Sequence, residues 1–181
     1  MEEQIILVSE KDEPTGSMEK LEAHEKGLLH RAFSIFVRNS AGKFLLQERA
    51  KTKYHSGGLW TNTCCGHPQV GEETFAAAHR RLNEEMGFDC PLEESFVFHY
   101  TAVLDKGLTE NEIDHVFVGN YDGEVRANPK EADGFAWVSR EEIEKDISSH
   151  PEKYTVWFKV AMEKAKAGGY FRTHKKYKVG L

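Results

Sequence analysis

Apolar positions along the chain recur with a period of two in several short runs, and this spacing is typical of strands. The first strand is predicted instead by the continuous, β-branched apolar run QIILV, residues 4–8, which a Pro-Thr-Gly turn at residues 14–16 closes. Residues 30–50 contain two further runs around Asn39 and Gly42, which predict a hairpin with alternating faces. Later strands are predicted in the runs SFVFHYTAVL, NEIDHVFVGNYDGEV and DGFAWVS.

Helical spacing predicts two helices in the first half of the chain. The segment SMEKLEAHEKG predicts a short helix that ends at Gly27. Apolar residues then recur every three or four positions from Phe75 to Met86, and Gly87 follows as a C-cap. This pattern predicts an amphipathic helix whose polar face carries two arginines and two glutamates.

Two more helices are predicted near the C-terminus. Ser139 and Glu142 form a capping-box pattern ahead of REEIEKDI, and Pro151 is expected to open a last helix. No internal repeat interrupts the order of elements, so the 181 residues predict a single α+β domain with a mixed β-sheet flanked by helices. We expect this domain to cover residues 1–167 and a basic C-terminal tail to cover residues 168–181.

Composition and charge narrow the function classes. The chain is 39% hydrophobic and 30% charged, with a net charge of −6, a balance typical of a globular protein. Because nucleic acids require a dominant basic surface, we expect no nucleic-acid partner. The N-terminal segment lacks a signal-peptide pattern and no apolar stretch has membrane-spanning length, so we expect a cytoplasmic protein with no membrane partner. Three cysteines, two of them adjacent, predict reduced thiols.

The segment NTCCGHPQVGE, residues 62–72, concentrates chemistry in a stretch without a strand or helix pattern. Its cysteines, histidine and closing acid are compatible with a metal knuckle, a catalytic thiol or a packed turn. A cysteine taken alone is most often a small buried hydrophobe, and a structural zinc site usually shows two separated cysteine pairs. The residues by themselves leave all three interpretations open.

The segment from Gly66 to Phe88 resembles the Nudix box, a loop-helix-loop motif that directs carboxylates at a divalent cation, which in turn binds a diphosphate. The residues in register are Gly66, Glu72, Arg80, Leu82, Glu84, Glu85, Gly87 and Phe88. The glutamate expected after Arg80 is Arg81, whose planar guanidinium suits a phosphate oxygen. This departure argues against pyrophosphate hydrolysis, which stays the second hypothesis.

A more specific resemblance is carried by three segments, WTNTCCGHPQ, TENEIDHVF and LEAHEKGLLHRAFS. They resemble the type I isopentenyl-diphosphate isomerases, Nudix-fold enzymes that do not hydrolyse their substrate. The resemblance covers about residues 5–164. It implies isomerisation of isopentenyl diphosphate to dimethylallyl diphosphate through a tertiary carbocation, a step of isoprenoid biosynthesis, by a monomer or weak homodimer.

The resemblance also implies which groups move protons. It assigns Cys65 and Glu112 to opposite sides of the substrate, with the Tyr100 hydroxyl beside the carboxylate. The resemblance also implies that the ring face of Trp157 is directed at the carbocation. Composition alone favours a core role for this tryptophan. Which of Cys65 and Glu112 donates the first proton stays open.

Two ion sites and a diphosphate site follow from the same resemblance. The implied ligands of the first ion, manganese or zinc, are His24, His30, His67, Glu110 and Glu112. The second ion, magnesium, is implied at Glu85 and the main-chain carbonyl of Cys65. The cations implied to bind the diphosphate are Lys20, Arg49, Lys53 and Arg81. Without the resemblance, the segment QERAKTK is also compatible with an ordinary solvated loop, and for Lys20 the two interpretations are even.

Overall fold

A mixed β-sheet organises the chain over residues 3–171, the part that the computed structural model describes. Within this range the sheet has nine strands and helices pack against it, which confirms the predicted α+β fold. The strands are β1 (Gln4–Val8), β2 (Pro14–Glu19), β3 (His30–Arg38), β4 (Phe44–Arg49), β5 (Trp60–Thr61), β6 (Cys64–Gly66), β7 (Leu92–Val103), β8 (Thr109–Asn120) and β9 (Ala132–Val138). The helices are α1 (Lys20–Lys26), α2 (Thr74–Met86), α3 (Arg140–Ser149) and α4 (Val156–Gly168).

Strand β3 is the centre of the sheet. It runs parallel to β8 along its whole length and antiparallel to β6, where Ser34 lies opposite Cys65. The predicted hairpin between β3 and β4 is present, but only Arg38 and Phe44 pair across it. Strand β4 pairs antiparallel with β9 and with β5. The side chains of β3 alternate between the two faces of the sheet as predicted, and nearly every one is buried because helices cover both faces.

Each side of the sheet carries its own core. On one side α4 packs on an aromatic cluster that includes Phe36 and Phe158, and on the other side α2 packs through Leu82. Successive side chains of a strand point to opposite faces. Cys64 accordingly joins the core beneath α2, whereas its neighbour Cys65 packs against the aromatic side. The two adjacent cysteines therefore have different surroundings.

Helix α2 confirms the predicted amphipathic helix and its C-cap. Gly87 has φ +72°, and a Cβ there would lie 2.5 Å from the carbonyl oxygen of Arg126, so this position requires glycine. Two side chains differ from the prediction. Phe75 is 48% exposed and lies outside the core, whereas Glu85, expected on the polar face, is buried. The helix thus turns a carboxylate inward.

Several element boundaries differ from the sequence prediction. Residues 14–19, expected to hold a turn and a helix start, form β2, whose backbone pairs with β1 although its side chains are mostly exposed. Helix α1 consequently begins at Lys20, capped by the Glu19 carboxylate. Pro151 opens a short 3₁₀ turn, and the last helix begins only at Val156. The expected tail lies outside the described residues from residue 172 onward, so its boundary stays a prediction.

Candidate active site

The side chains to which the resemblance assigns a catalytic, ion-binding or diphosphate-binding role come together at one cleft. All of them line it except His24 and His30, which are fully buried beside it. They reach the cleft from both ends of the chain, including α1, the segment after β4, strands β6 to β8, and helices α2 and α4. Tertiary packing therefore assembles residues that are far apart in sequence.

A cluster of histidines and carboxylates forms the floor of this cleft. Its members, which offer ligand atoms within 4.8 Å of one another, are His24, His30, His67, Glu110 and Glu112. Glu110 and Glu112 share a face because they are two residues apart on β8. His30 comes to them through the parallel pairing of β3 with β8, in which it lies opposite Glu112.

Two of the histidines are oriented by backbone carbonyls. Nδ1 of His24 donates to the carbonyl of Lys20 at 2.6 Å, and Nδ1 of His30 donates to the carbonyl of Leu28 at 2.8 Å. A carbonyl oxygen only accepts hydrogen bonds, so Nδ1 of each ring carries a proton and Nε2 faces the carboxylates. Within residues 3–171, Nε2 of His24 and Oε2 of Glu110 have no hydrogen-bond partner, although they lie 3.1 Å apart. Two buried atoms that converge without a hydrogen-bond partner fit a bound cation.

Glu112 is the best connected carboxylate of the cleft. Its Oε2 accepts a 2.6 Å hydrogen bond from the Tyr100 hydroxyl, and its Oε1 lies 2.9 Å from Nε2 of His67 and 3.2 Å from Nε2 of His30. Burial alone would raise the pKa of Glu112, but the contacts with His30 and His67 hold this pKa well below its usual range. Glu112 is therefore the ionised carboxylate of the cluster.

The neighbouring groups are held in their neutral forms by burial. Burial and the charge of Glu112 raise the pKa of Glu110. Burial raises the pKa of the Cys65 thiol to about 12 and lowers that of His67 to about 4. At neutral pH the cleft thus holds a protonated thiol on β6 and an ionised carboxylate on β8.

Four predicted cations line the cleft, and each has an anchor. Arg49 is buried, donates to the carbonyls of His55 and Ser56 at 3.2 and 3.3 Å, and lies 5.1 Å from the ring centre of Trp157. Lys20 pairs with Glu3. These contacts bring the charged groups to the cleft beside an aromatic wall.

Lys53 and Arg81 share one carboxylate. Lys53 pairs with Glu131, and the guanidinium of Arg81 lies 3.2 Å from the same side chain and 2.6 Å from Glu85. Burial alone would lower the pKa of Arg81, but Glu85 and Glu131 raise it. The arginine in the position where the Nudix pattern has glutamate is thus a fixed positive charge in the cleft.

Trp157 belongs to both the core and the cleft. Its side chain is 4% exposed and packs in the aromatic core, as composition alone favoured, yet its ring also lines the cleft. Within the described residues its indole Nε1 has no hydrogen-bond partner. The core role of this tryptophan is confirmed, whereas its role toward a carbocation stays a prediction.

Sequence reasoning missed His55, which lines the cleft, and Glu131, which pairs with the cleft residues Lys53 and Arg81. Glu131 lies in the turn segment NPKEADG, where nothing distinguishes it from an ordinary solvated acid. His55 lies two positions after Lys53 and has 4% of its surface exposed. Only this closeness to a predicted phosphate ligand marks His55, and its buried position depends on the folding of the loop.

Comparison with known proteins places this geometry in a family. Residues 28–158 match the NUDIX domain. A protein from Deinococcus radiodurans, DR0079, shares the fold with a TM-score of 0.68 and 21% identity over 82% of this chain and 90% of that one. A MutT protein from Methanosarcina mazei aligns with a TM-score of 0.64 and 20% identity over 78% and 95% of the two chains.

Curated relatives are more similar in sequence. Isopentenyl-diphosphate Delta-isomerase 2 of Photorhabdus laumondii is 55% identical over 88% of this chain and 90% of its own length, and isopentenyl-diphosphate Delta-isomerase of Serratia proteamaculans is 49% identical over 90% and 91%. The chain therefore belongs to the NUDIX family and, within it, to the isopentenyl-diphosphate Delta-isomerases. No helix among the described residues is both long and apolar enough to cross a membrane.

Proposed function

We propose that this protein isomerises isopentenyl diphosphate to dimethylallyl diphosphate, the activity named for relatives about 50% identical to it. The observation that carries the proposal is the position of Glu112, whose two oxygens contact the Tyr100 hydroxyl on one side and His67 and His30 on the other. A carboxylate held in this way suits proton transfer to and from carbon. It remains ionised while a buried phenol donates to it.

Proton transfer requires two groups. In the proposed reaction a proton is added to the terminal methylene of the substrate, and another leaves the carbon nearer the diphosphate. We assign these transfers to Cys65 on β6 and Glu112 on β8, which line the same cleft from either side of β3. The raised pKa of Cys65 supports a thiol that carries a proton, while Tyr100 steadies the charge of Glu112.

The intermediate cation must be stabilised and kept from water. We assign this role to Trp157, whose buried ring lines the cleft. A cation over a desolvated indole face gains about 2 kcal/mol. The surrounding aromatic core also limits the access of water that would trap the cation.

The diphosphate is assigned to Lys20, Arg49, Lys53 and Arg81. Arg49 supports this role most strongly, because it is buried and only backbone carbonyls accept its hydrogen bonds. Within residues 3–171 it thus forms no ion pair with a carboxylate, and its charge faces a cleft suited to an anion. Lys53 and Arg81 hold further positive charge beside it.

Two divalent ions suit the donor atoms of the cleft. Three imidazoles and two carboxylates, the histidine and carboxylate cluster, would hold manganese or zinc. The Glu85 carboxylate and the Cys65 carbonyl oxygen, both hard donors, would hold magnesium against the diphosphate. Such ions supply positive charge that neutralises carboxylates and phosphate. We further propose that the protein acts in the cytoplasm as a monomer or weak homodimer.

Incubation with isopentenyl diphosphate and magnesium in heavy water tests the proposal. We expect deuterium in the methyl group formed in dimethylallyl diphosphate, detected by NMR, and a loss of at least about a hundredfold in kcat for Cys65→Ala and Glu112→Gln. Cys64→Ala is the matched control, since Cys64 lies in the opposite core and should retain activity. Absence of any allylic product would overturn the proposal. Release of phosphate from nucleoside diphosphate derivatives would favour pyrophosphohydrolysis instead.

A further inference from the structure

His55 is buried in the cleft wall and takes no part in the proposed proton transfer. It lies in the loop between β4 and β5, and its ring stands perpendicular to that of Trp157 with 5.8 Å between the ring centres. The ring of Tyr54 stands perpendicular to it at 4.3 Å. Two aromatic neighbours therefore hold the imidazole in one place.

The loop that carries His55 is folded closely on itself. Arg49 donates to the carbonyl of His55, and Gly57 approaches the backbone so closely that a Cβ there would lie 2.7 Å from the carbonyl oxygen of Lys51. Ser56 adopts a left-handed conformation with φ +50°. These constraints direct the imidazole of His55 inward and not to solvent.

The imidazole faces a carboxylate of the histidine and carboxylate cluster. Nε2 of His55 lies 3.6 Å from Oε1 of Glu110, and Oε2 of the same carboxylate is turned to His24 at 3.1 Å. Nδ1 of His55 lies 3.2 Å from the Ser56 hydroxyl. If that hydroxyl donates to Nδ1, the ring proton is on Nε2, directed at Glu110. A movement of about half an ångström completes a hydrogen bond.

We propose that His55 is a positioning residue that holds the Glu110 carboxylate in its ion-binding orientation. The inference rests on the proposed function, in which Glu110 is an ion ligand. Carboxylates that bind metal ions are themselves held by hydrogen bonds, and the loss of such an outer contact typically weakens ion affinity about ten- to hundredfold. His55 faces Oε1 of Glu110, whereas His24 faces Oε2, so His55 is placed to supply this contact.

A pair of variants separates the N–H group from the ring. His55→Phe keeps an aromatic ring against Trp157 and removes the donor, whereas His55→Gln keeps an N–H near the position of Nε2. With chelator-treated protein and Mn²⁺ alone, we expect His55→Phe to weaken the Mn²⁺ affinity about ten- to hundredfold and His55→Gln to stay close to wild type. The control His79→Phe changes a histidine in a surface pair with Asp89 and should bind Mn²⁺ normally.

Wild-type affinity of His55→Phe would overturn the inference, since the N–H donor would then be dispensable. Equal weakening by both variants would also overturn it, since the N–H kept in His55→Gln would then have no effect. Ser56→Ala tests the same contact if His55→Phe does not fold. It removes the hydroxyl that sets the tautomer and should weaken Mn²⁺ binding about fivefold, the effect of one neutral hydrogen bond; unchanged binding would contradict the inference. Electron paramagnetic resonance of free Mn²⁺ measures these affinities without substrate. Normal Mn²⁺ binding without isomerase activity would therefore contradict the proposed function alone.

Discussion

The Tyr100 hydroxyl donates a 2.6 Å hydrogen bond to Oε2 of Glu112 in the interior of the cleft. Both residues are buried, and they lie directly opposite each other in the antiparallel pairing of β7 with β8. Burial, and then the charge of Glu112, raise the pKa of Tyr100 well above its ordinary value. The phenol therefore stays protonated and stabilises the ionised carboxylate at neutral pH.

Removal of this hydroxyl should impair catalysis more than folding. For Tyr100→Phe we expect kcat to fall about ten- to hundredfold, because a hydrogen bond to a charged group contributes about 1.5–3 kcal/mol. Tyr154→Phe is the matched control, since the Tyr154 hydroxyl donates to Asp146 outside the cleft. Steady-state kinetics of both variants test the assignment. An equal loss in both would point to a general effect on the fold.

The raised pKa of Cys65 predicts a poorly reactive thiol. With a pKa of about 12, the fraction of thiolate at pH 8 is roughly a thousandfold below that of an ordinary cysteine. We expect iodoacetamide to alkylate Cys65 correspondingly slowly, and the rate to rise steadily as the pH is raised. Mass spectrometry of protein with Cys64→Ala and Cys90→Ala measures this rate at one thiol. Rapid alkylation at pH 7 would contradict the assignment of Cys65 as a protonated acid.

Ion binding should stabilise the fold. At an Mn²⁺ concentration about a hundredfold above its dissociation constant, the ion adds about 2.7 kcal/mol to the free energy of unfolding, and a chelator removes this gain. Thermal unfolding with and without chelator measures the difference. The shift should shrink in His67→Ala, which removes one ligand of the cluster, and persist in His99→Ala, which lies on the exposed face of β7.

The ion pairs of Glu131 should make the free energy of unfolding depend on pH. Burial opposes ionisation of this carboxylate, but Lys53 and Arg81 lower its pKa in the folded state. Its contribution is therefore present above the unfolded-state pKa, near 4.3, and is lost as the pH falls through the folded-state pKa. We expect Glu131→Gln to lower the free energy of unfolding by about 1–2 kcal/mol at pH 7 and by less at pH 3, where more of the carboxylate is protonated in both states.

Urea unfolding at both pH values measures the contribution of Glu131. Glu124→Gln is the control, because Glu124 pairs with Arg126 at the surface with most of both side chains exposed, and such pairs contribute little. A Glu131→Gln variant as stable as wild type at pH 7 would show that the ion pairs of Glu131 with Lys53 and Arg81 do not stabilise the fold.

Much of this protein was determined by local sequence. The spacing of apolar residues and the closing Gly87 define α2, because a helix buries every third or fourth side chain and glycine tolerates a positive φ. The capping box at Ser139 is likewise local and is confirmed. The motif from Gly66 to Phe88 indicated the family, since its residues keep a fixed spacing along one loop and one helix.

Only the tertiary structure decided how these pieces meet. The polar strand β2 carries no apolar period, so its pairing with β1 depends on backbone hydrogen bonds that the sequence does not mark. His55 lines the cleft and Glu131 pairs with the cleft residues Lys53 and Arg81, and both gain these contacts only when their loops fold. The sequence determined which chemical groups this protein carries, whereas packing determined their distances and protonation, because electrostatic interactions depend on burial and on neighbours distant in the chain.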